Sequence, residues 1–175
     1  MARRVRMALD GSTDAMLLAD AAARTVICAQ AFHWFATPST VAEIARVLQP
    51  GGTLALVWNV RDESVPWVRA LTEIIQPHEG DVPRYLKGDW RRVFPAPGFG
   101  PLQETVFEHA HVETAEQMIV DRFLSVSLIA ALPASERADV ERRLRALIDA
   151  DPALAGGKTI ALPDRTTAFR CIRQP

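Results

Sequence analysis

The chain has 175 residues, of which 49% are hydrophobic and 23% charged, and its formal net charge is −1. This composition is that of a soluble globular protein long enough to bury a core. A net charge near zero favours neither nucleic acid nor anionic lipid, and no run approaches the roughly 20 apolar residues of a membrane helix. No signal-peptide pattern follows the basic start MARRVR. We therefore expect a cytoplasmic protein that binds neither nucleic acid nor membrane.

A strand, a helix and a second strand are predicted in the first 60 residues. The segment 25–31 (TVICAQA) is continuously apolar and rich in β-formers, as a fully buried strand is. Thr37 as N-cap and Pro38 at the first helical position predict a helix, which QPGG at 49–52 ends. A second buried strand follows at 53–59 (TLALVWN). A crossover through one helix requires the two strands to be parallel.

The remainder of the chain predicts further helices and strands around one long surface segment. Apolar spacing indicates a helix over 65–76, two helical segments between 115 and 150, and strands at 104–114 and 166–173. Much of the proline and glycine lies at 77–101, which reads as a long surface loop. We expect a single partial domain in three parts: a sheet core over 1–76, the loop over 77–101, and C-terminal strands and helices over 102–175.

The ends of the two parallel strands are the first candidate site. AFHWF follows the first strand, and Trp58 with Asn59 ends the second. Because ligands bind outside the carboxyl ends of parallel strands, these residues are expected to share one ligand edge. The alternatives stay open: the rings could pack under the following helix, His33 could be a hydrogen-bonded structural histidine, and Asn59 could be a turn residue.

A histidine pair is the second candidate site. His109 and His111 are two residues apart, so in a strand they share a face and could bind a metal with Glu108 or Glu113. The spacing places no third ligand, and the sequence alone therefore does not predict a metal site here. A histidine–metal protein remains an alternative hypothesis.

Three segments carry a family resemblance: GSTDAMLLAD at 11–20, VICAQAFHWFATP at 26–38 and EIARVLQPGGTLALVWNVRD at 43–62. In this order they resemble class I S-adenosylmethionine-dependent methyltransferases, in particular a small-molecule group whose fourth strand runs into AQAFHWF. LPASER and LPDRTTAFRC resemble that group's C-terminal part. The resemblance implies a Rossmann-like α/β fold with a mostly parallel sheet, an antiparallel C-terminal strand and extra C-terminal helices. It also implies S-adenosylmethionine as cofactor and a small-molecule methyl acceptor.

The resemblance assigns roles to individual residues. Ser12, Thr13 and Asp14 match the segment that meets the adenine ring. His33 matches a position in the reaction zone, where a histidine could act as general base. Trp58 and Asn59 match the substrate side of the fifth strand. The remaining cofactor-binding positions, on the methionine side, are Gln30, Ala31, Phe32 and Trp34.

The chain also departs from the family pattern. Members begin with a strand that runs into a Gly-rich cofactor loop, whereas residues 1–10 contain no glycine. Arg24 stands where an acidic residue is usual, Leu17 replaces a proline, and PYRT reads PDRT at 163–166. We therefore expect an N-terminally truncated fold with weakened or lost cofactor binding. The strand at 25–31 should then expose an edge that a homodimer or partner chain covers, and a non-catalytic association module is the alternative function.

Overall fold

The computed structural model describes residues 11–81, 83–157 and 159–175. The segment RVRMAL at 4–9, which could form a further strand before GSTDAMLLAD, lies outside the described residues. The described residues form two compact units. The first unit contains 11–58, 83–105 and 167–175, and the second contains 59–81, 106–157 and 159–166. Three strands continue from one unit into the other, and a single domain with the predicted three parts stays a prediction.

The strands and helices follow the predicted order. The four strands are β1 (Ala23–Ala29), β2 (Leu48–Arg61), β3 (Gln103–Thr114) and β4 (Thr159–Ile172). The α-helices are α1 (Pro38–Val47), α2 (Pro66–Ile75), α3 (Arg122–Leu124), α4 (Ser127–Ala130) and α5 (Ala134–Ala150). Short 3-10 helices cover Phe32–Trp34, Gln76–His78 and Asp89–Val93, and a π-helix covers Glu116–Asp121. The strand order in the sheet is β1-β2-β4-β3.

The predicted crossover is confirmed. β1 pairs with β2 in parallel, with Ala29 opposite Val57 at the carboxyl end. The side chain of Thr37 accepts a hydrogen bond from the Thr40 backbone N–H, as an N-cap does, and Pro38 opens α1.

The described sheet is mixed: β1 and β2 are parallel, and β4 runs antiparallel to β2, as the Gly51–Arg173 and Asn59–Thr166 contacts show. A parallel pair joined by a helix, with an antiparallel C-terminal strand, fits the predicted truncated Rossmann-like methyltransferase fold.

β2 begins five residues earlier than expected because the PGG segment is part of the sheet. α1 ends at Val47, and β2 follows at Leu48 without an intervening loop. The backbone N–H of Gly51 donates to the carbonyl of Arg173, and the Arg173 N–H donates to the carbonyl of Gly52. Gly51 has a left-handed φ of 77°, a backbone conformation that glycine adopts without steric cost.

The two units have separate buried cores. In the first unit, α1 and β2 contribute aliphatic side chains, and Phe32, Trp58, Trp90 and Phe169 are the largest buried rings. In the second unit, one face of α2 packs with the helices that follow β3. The core of the second unit includes Val68, Leu71, Ile119, Phe123, Ile129, Val140, Leu144 and Leu162.

The segment 115–132, expected to be mainly helical, is broken into three short helices. Met118, Ile119 and Val120 are three consecutive buried residues of the π-helix Glu116–Asp121. The wider turn of a π-helix allows three consecutive residues to face the same core. In an α-helix, with 3.6 residues per turn, consecutive residues point in different directions. Val126 then takes an extended conformation before α4 begins.

β1 is at one end of the strand order, as expected for an exposed edge. The prediction of a fully buried strand here is wrong: no residue of β1 is buried, because among the described strands it has a neighbour on one side only. The side chain of Ile27, in the middle of this strand, is 65% exposed. The covering of this edge by a homodimer or a partner chain stays a prediction. Among the residues that the structure describes, no helix has the length and apolar character needed to cross a membrane.

Candidate functional site

A cavity of about 260 Å³ lies in the first unit between the segment 11–18, β1 and α1. Ser12 and Thr13, two of the residues predicted to meet an adenine ring, line it. Asp14 does not line it, but its carboxylate accepts a hydrogen bond from the Ser12 hydroxyl. The other lining residues are Gly11, Met16, Leu17, Leu18, Val26, Cys28, Phe35, Thr40 and Ile44.

Arg46 of α1 holds the segment that forms one wall of this cavity. Its guanidinium donates to the carbonyls of Leu18 at 2.8 Å and Met16 at 3.1 Å, and pairs with Asp20 at 2.6 Å. Glu43, which also accepts from the Met16 N–H at 2.7 Å, pairs with the same guanidinium. The hydrogen bond from Arg46 lowers the pKa of the Glu43 carboxyl to about 2. The sequence analysis missed both residues, although their i,i+3 spacing was a visible signal.

The cavity is mainly apolar, with few groups that could select a ligand. Val26 and Cys28 point into it from β1, and Ile27 between them does not line it. Burial raises the pKa of the Cys28 thiol to about 11, so this side chain is an uncharged, apolar part of the wall. The hydroxyls of Ser12, Thr13 and Thr40 are the hydrogen-bonding side chains of the lining. Such a lining suits a flat heterocycle held by a few polar contacts.

The chain turns sharply after β1. Gln30 has a left-handed φ of 55°, and its backbone N–H donates to the carbonyl of Val57 at 2.8 Å. Ala31 then precedes the 3-10 helix Phe32–Trp34. Backbone strain of this kind at a strand end is common at ligand sites. The assignment of Gln30 and Ala31 to a cofactor stays a prediction.

The aromatic residues of this turn have different environments. Phe32 is 0% exposed and packs against Phe35, Trp90 and Phe94, with ring centroids 5.7–6.5 Å apart. Trp34 is 53% exposed. Phe32 is therefore a core residue of the first unit, whereas the side chain of Trp34 is exposed and can contact a ligand. The assignment of Phe32 and Trp34 to cofactor binding stays a prediction. Solvent exposure favours this role for Trp34, and complete burial does not favour it for Phe32.

His33, which follows β1, lies beside Trp58 of β2, as the parallel arrangement predicted. β2 does not end at Asn59 as expected but continues to Arg61, because it also pairs with β4. The indole Nε1 of Trp58 donates a hydrogen bond to Nδ1 of His33 at 3.1 Å. Burial, and secondarily the positive charge of Arg84, lower the pKa of His33. A neutral imidazole whose Nδ1 accepts from Trp58 carries its proton on Nε2. This arrangement suits donation from Nε2 better than general-base chemistry, because the lone pair on Nδ1 is already occupied.

Asn59 takes part in a hydrogen-bonded chain within the second unit. The Thr166 hydroxyl donates to Oδ1 of Asn59 at 2.7 Å and lies 2.9 Å from Nε2 of His109. Asn59 is therefore more than a turn residue, since its amide is tied to β4. The sequence analysis missed Thr166, because the partners lie on strands far apart in the chain.

Comparison with known proteins supports the resemblance. A family model described as a methyltransferase domain matches residues 2–56. An uncharacterised methyltransferase-like protein of Schizosaccharomyces pombe is 36% identical over 165 residues, which are 94% of this chain and 64% of that protein. An uncharacterised methyltransferase of Mycobacterium tuberculosis is 38% identical over 164 residues, which are 94% of this chain and 64% of that protein.

Solved structures show the same fold. A Bacillus halodurans protein classed as a methyltransferase superposes with a TM-score of 0.53 at 20% identity, covering 94% of this chain and 76% of that one. A protein from an antibiotic biosynthesis pathway of Anabaena variabilis, also classed as a methyltransferase, gives a TM-score of 0.58 at 13% identity, with coverages of 91% and 71%. The methyltransferase-domain match and the methyltransferase relatives support the resemblance to class I S-adenosylmethionine-dependent methyltransferases. This chain spans 64% of the length of each of these two curated relatives.

The stability of the chain is expected to depend on pH through His33. Its pKa is lowered from 6.5 in the folded state, so below pH 6.5 the unfolded chain binds a proton that the folded chain does not. The contribution of His33 is therefore fully present above pH 6.5 and is lost as the pH falls towards the folded-state pKa. Urea unfolding at about pH 7.5 and about pH 5.5, on either side of the ordinary histidine pKa, measures the loss.

His33→Gln is the matched variant for this measurement, because its amide oxygen can still accept a hydrogen bond from Trp58 but does not titrate. The variant should lose less stability between the two pH values than the original chain. Equal losses in the two proteins would show that His33 does not contribute.

Proposed function

We propose that this chain takes part in S-adenosylmethionine-dependent methyl transfer to a small molecule, with the cavity of the first unit holding the adenosyl part. The observation that carries the proposal is the position of this cavity. It lies against Ser12 and Thr13, which the family resemblance assigns to the adenine ring, and beside β1, whose parallel partner is β2. Ligands of such sheets bind at the carboxyl ends of the strands.

The residues present fit part of the cofactor. Drug-sized ligands occupy pockets of about 300–1,000 Å³, and the cavity of about 260 Å³ is smaller. It suits a purine or nucleoside rather than a nucleoside with an attached amino acid. Ser12 and Thr13 offer hydroxyls to the ring edge, and Val26 and Phe35 offer apolar surface. The described lining has no charged group for an amino-acid carboxylate or ammonium.

The acceptor end is assigned to the residues at the strand ends. S-adenosylmethionine, when bound, supplies an electrophilic methyl group on a sulfonium. The protein's part is then to hold a nucleophile in line with that methyl group and to exclude water. His33 would donate from Nε2 to an acceptor or cofactor oxygen, and Trp58 would fix the orientation of its ring. Trp34, half exposed next to His33, would cover the site.

Isothermal titration calorimetry on the 175-residue chain tests the proposal. S-adenosylhomocysteine and adenosine should both bind, because the cavity accepts the part that they share. Methionine alone should give no heat, because the described cavity lacks charged partners for it. Binding of methionine without adenosine, or no binding by either nucleoside ligand, would contradict the proposal.

A further inference from the structure

Three potential metal ligands from two strands meet in the second unit. His109 and His111 lie on β3, and Asp164 lies on β4. Each offers one ligand atom, and these atoms lie within 4.8 Å of one another. Nε2 of His111 is 3.5 Å from Oδ2 of Asp164. Ligand atoms of a tetrahedral zinc site are about 3.4 Å apart, since its bonds are about 2.1 Å long. One pair is thus already at the required spacing.

Asp164 is the ligand that the sequence did not reveal. Its side chain is 2% exposed, and Oδ2 is buried without a hydrogen-bond partner. A buried carboxylate oxygen without a hydrogen bond is costly, and the Arg122 guanidinium at 4.0 Å is too distant to donate one. Asp164 also lies in PDRT, where the resemblance leads one to expect PYRT. The carboxylate is therefore a feature of this chain that the family pattern does not explain.

A hydrogen bond orients the imidazole ring of His109, as is common for histidines that bind a metal. Its Nε2 lies 2.9 Å from the Thr166 hydroxyl, which donates its own proton to Asn59. Nε2 of His109 must therefore be the donor, which leaves Nδ1 as the nitrogen with a free lone pair. A hydrogen bond from the other ring nitrogen to a polar group fixes the tautomer and the ring orientation of a ligating histidine.

Positive charges near the cluster limit which ions it can bind. Nη2 of Arg122 lies 4.0 Å from Oδ2 of Asp164, and the half-buried guanidinium of Arg61 also interacts electrostatically with Asp164. Both arginines oppose a cation at this carboxylate. A hard ion such as Mg²⁺ or Ca²⁺, which needs several oxygen ligands, is therefore disfavoured. An ion that binds imidazole nitrogen strongly can use the two histidines instead.

We propose that His109, His111 and Asp164 form a binding site for a divalent transition-metal ion of the zinc type. Two imidazoles and one carboxylate leave at least one coordination position open, as in sites that bind water or an oxygen ligand. The site is distinct from the cavity proposed for the adenosyl part, because all three ligands lie in the second unit and none lines the cavity of the first.

The test uses the 175-residue chain after removal of any purification tag and of bound metal. Zn²⁺ is titrated by calorimetry, and Co²⁺ is followed by its visible absorption, which reports nitrogen ligands and coordination number. One ion should bind per chain. His109→Ala and His111→Ala, both at exposed positions, should each lower the Zn²⁺ affinity at least about 100-fold. Thr166→Val, which removes the group that orients His109, should lower it about 10- to 100-fold.

His78→Ala is the matched control, since His78 lies in the same unit on the 3-10 helix Gln76–His78 and outside the cluster. It should leave the affinity and the Co²⁺ spectrum unchanged. The proposal is overturned if the original chain binds no stoichiometric ion, if the His109 and His111 variants bind as tightly as the original, or if His78→Ala weakens binding equally. Circular dichroism confirms that each variant is folded, and Asp164→Asn extends the test to the buried ligand.

Discussion

Replacing Phe32 by alanine is expected to lower the free energy of unfolding by about 3–5 kcal/mol. Phe32 has no exposed surface, and its ring packs edge-on against Phe35 and Trp90 and tilted against Phe94. Removal of the ring loses this apolar burial and leaves a space that the surrounding rings can fill only in part. Urea unfolding followed by tryptophan fluorescence and circular dichroism measures the change.

Trp34→Ala is the matched control, because Trp34 lies in the same 3-10 helix but is 53% exposed. Its effect should stay within about 0.5 kcal/mol, as for ordinary surface substitutions. If the two variants lost the same stability, the division of this turn into a core ring and a surface ring would be wrong. The comparison therefore decides the question that the sequence left open for these aromatics.

Cys28→Trp is expected to lower the affinity for S-adenosylhomocysteine by at least about 100-fold, which is about 2.8 kcal/mol of binding free energy. The Cys28 side chain lines the cavity of about 260 Å³, and an indole in its place would occupy the space proposed for the purine. The effect comes from loss of volume, since burial raises the pKa of the thiol to about 11 and leaves it uncharged near neutral pH. Calorimetry measures the affinity of both proteins.

Ile27→Trp supplies the control for that substitution. Ile27 is the neighbour of Cys28 in β1, does not line the cavity and is 65% exposed. Successive side chains of a strand point to opposite faces, so the added indole should stay outside the cavity and leave the affinity unchanged. Equal weakening by both variants would place the ligand elsewhere or indicate damage to β1.

The local signals of the sequence were sufficient for the crossover unit. An N-cap threonine before Pro38 and a short apolar run act over a few residues, so they predicted α1 and the parallel pairing of β1 with β2. The contact between the segment after β1 and Trp58 followed from that topology, and the hydrogen bond between His33 and Trp58 confirms it. The ends of elements were less well predicted, because Gly51 and Gly52 pair with Arg173, which is distant in the chain.

The sequence did not predict contacts between residues that are far apart in the chain. The histidine pair was visible in β3, but Asp164 and Thr166 join it only because β4 carries them into the same unit. Arg46 likewise holds the segment 16–20 through carbonyl groups, which have no signature in side-chain patterns.

Local patterns in the sequence predicted the resemblance to methyltransferases, the order of strands and helices, and the contact between the segment after β1 and Trp58. These depend on short-range propensity, on periodicity and on motifs that are contiguous in the chain. Only the tertiary structure decided which aromatic ring is core, where the cavity lies and which residue completes the histidine cluster. Burial and ligand geometry are set by packing between segments far apart in sequence, so no local pattern records them.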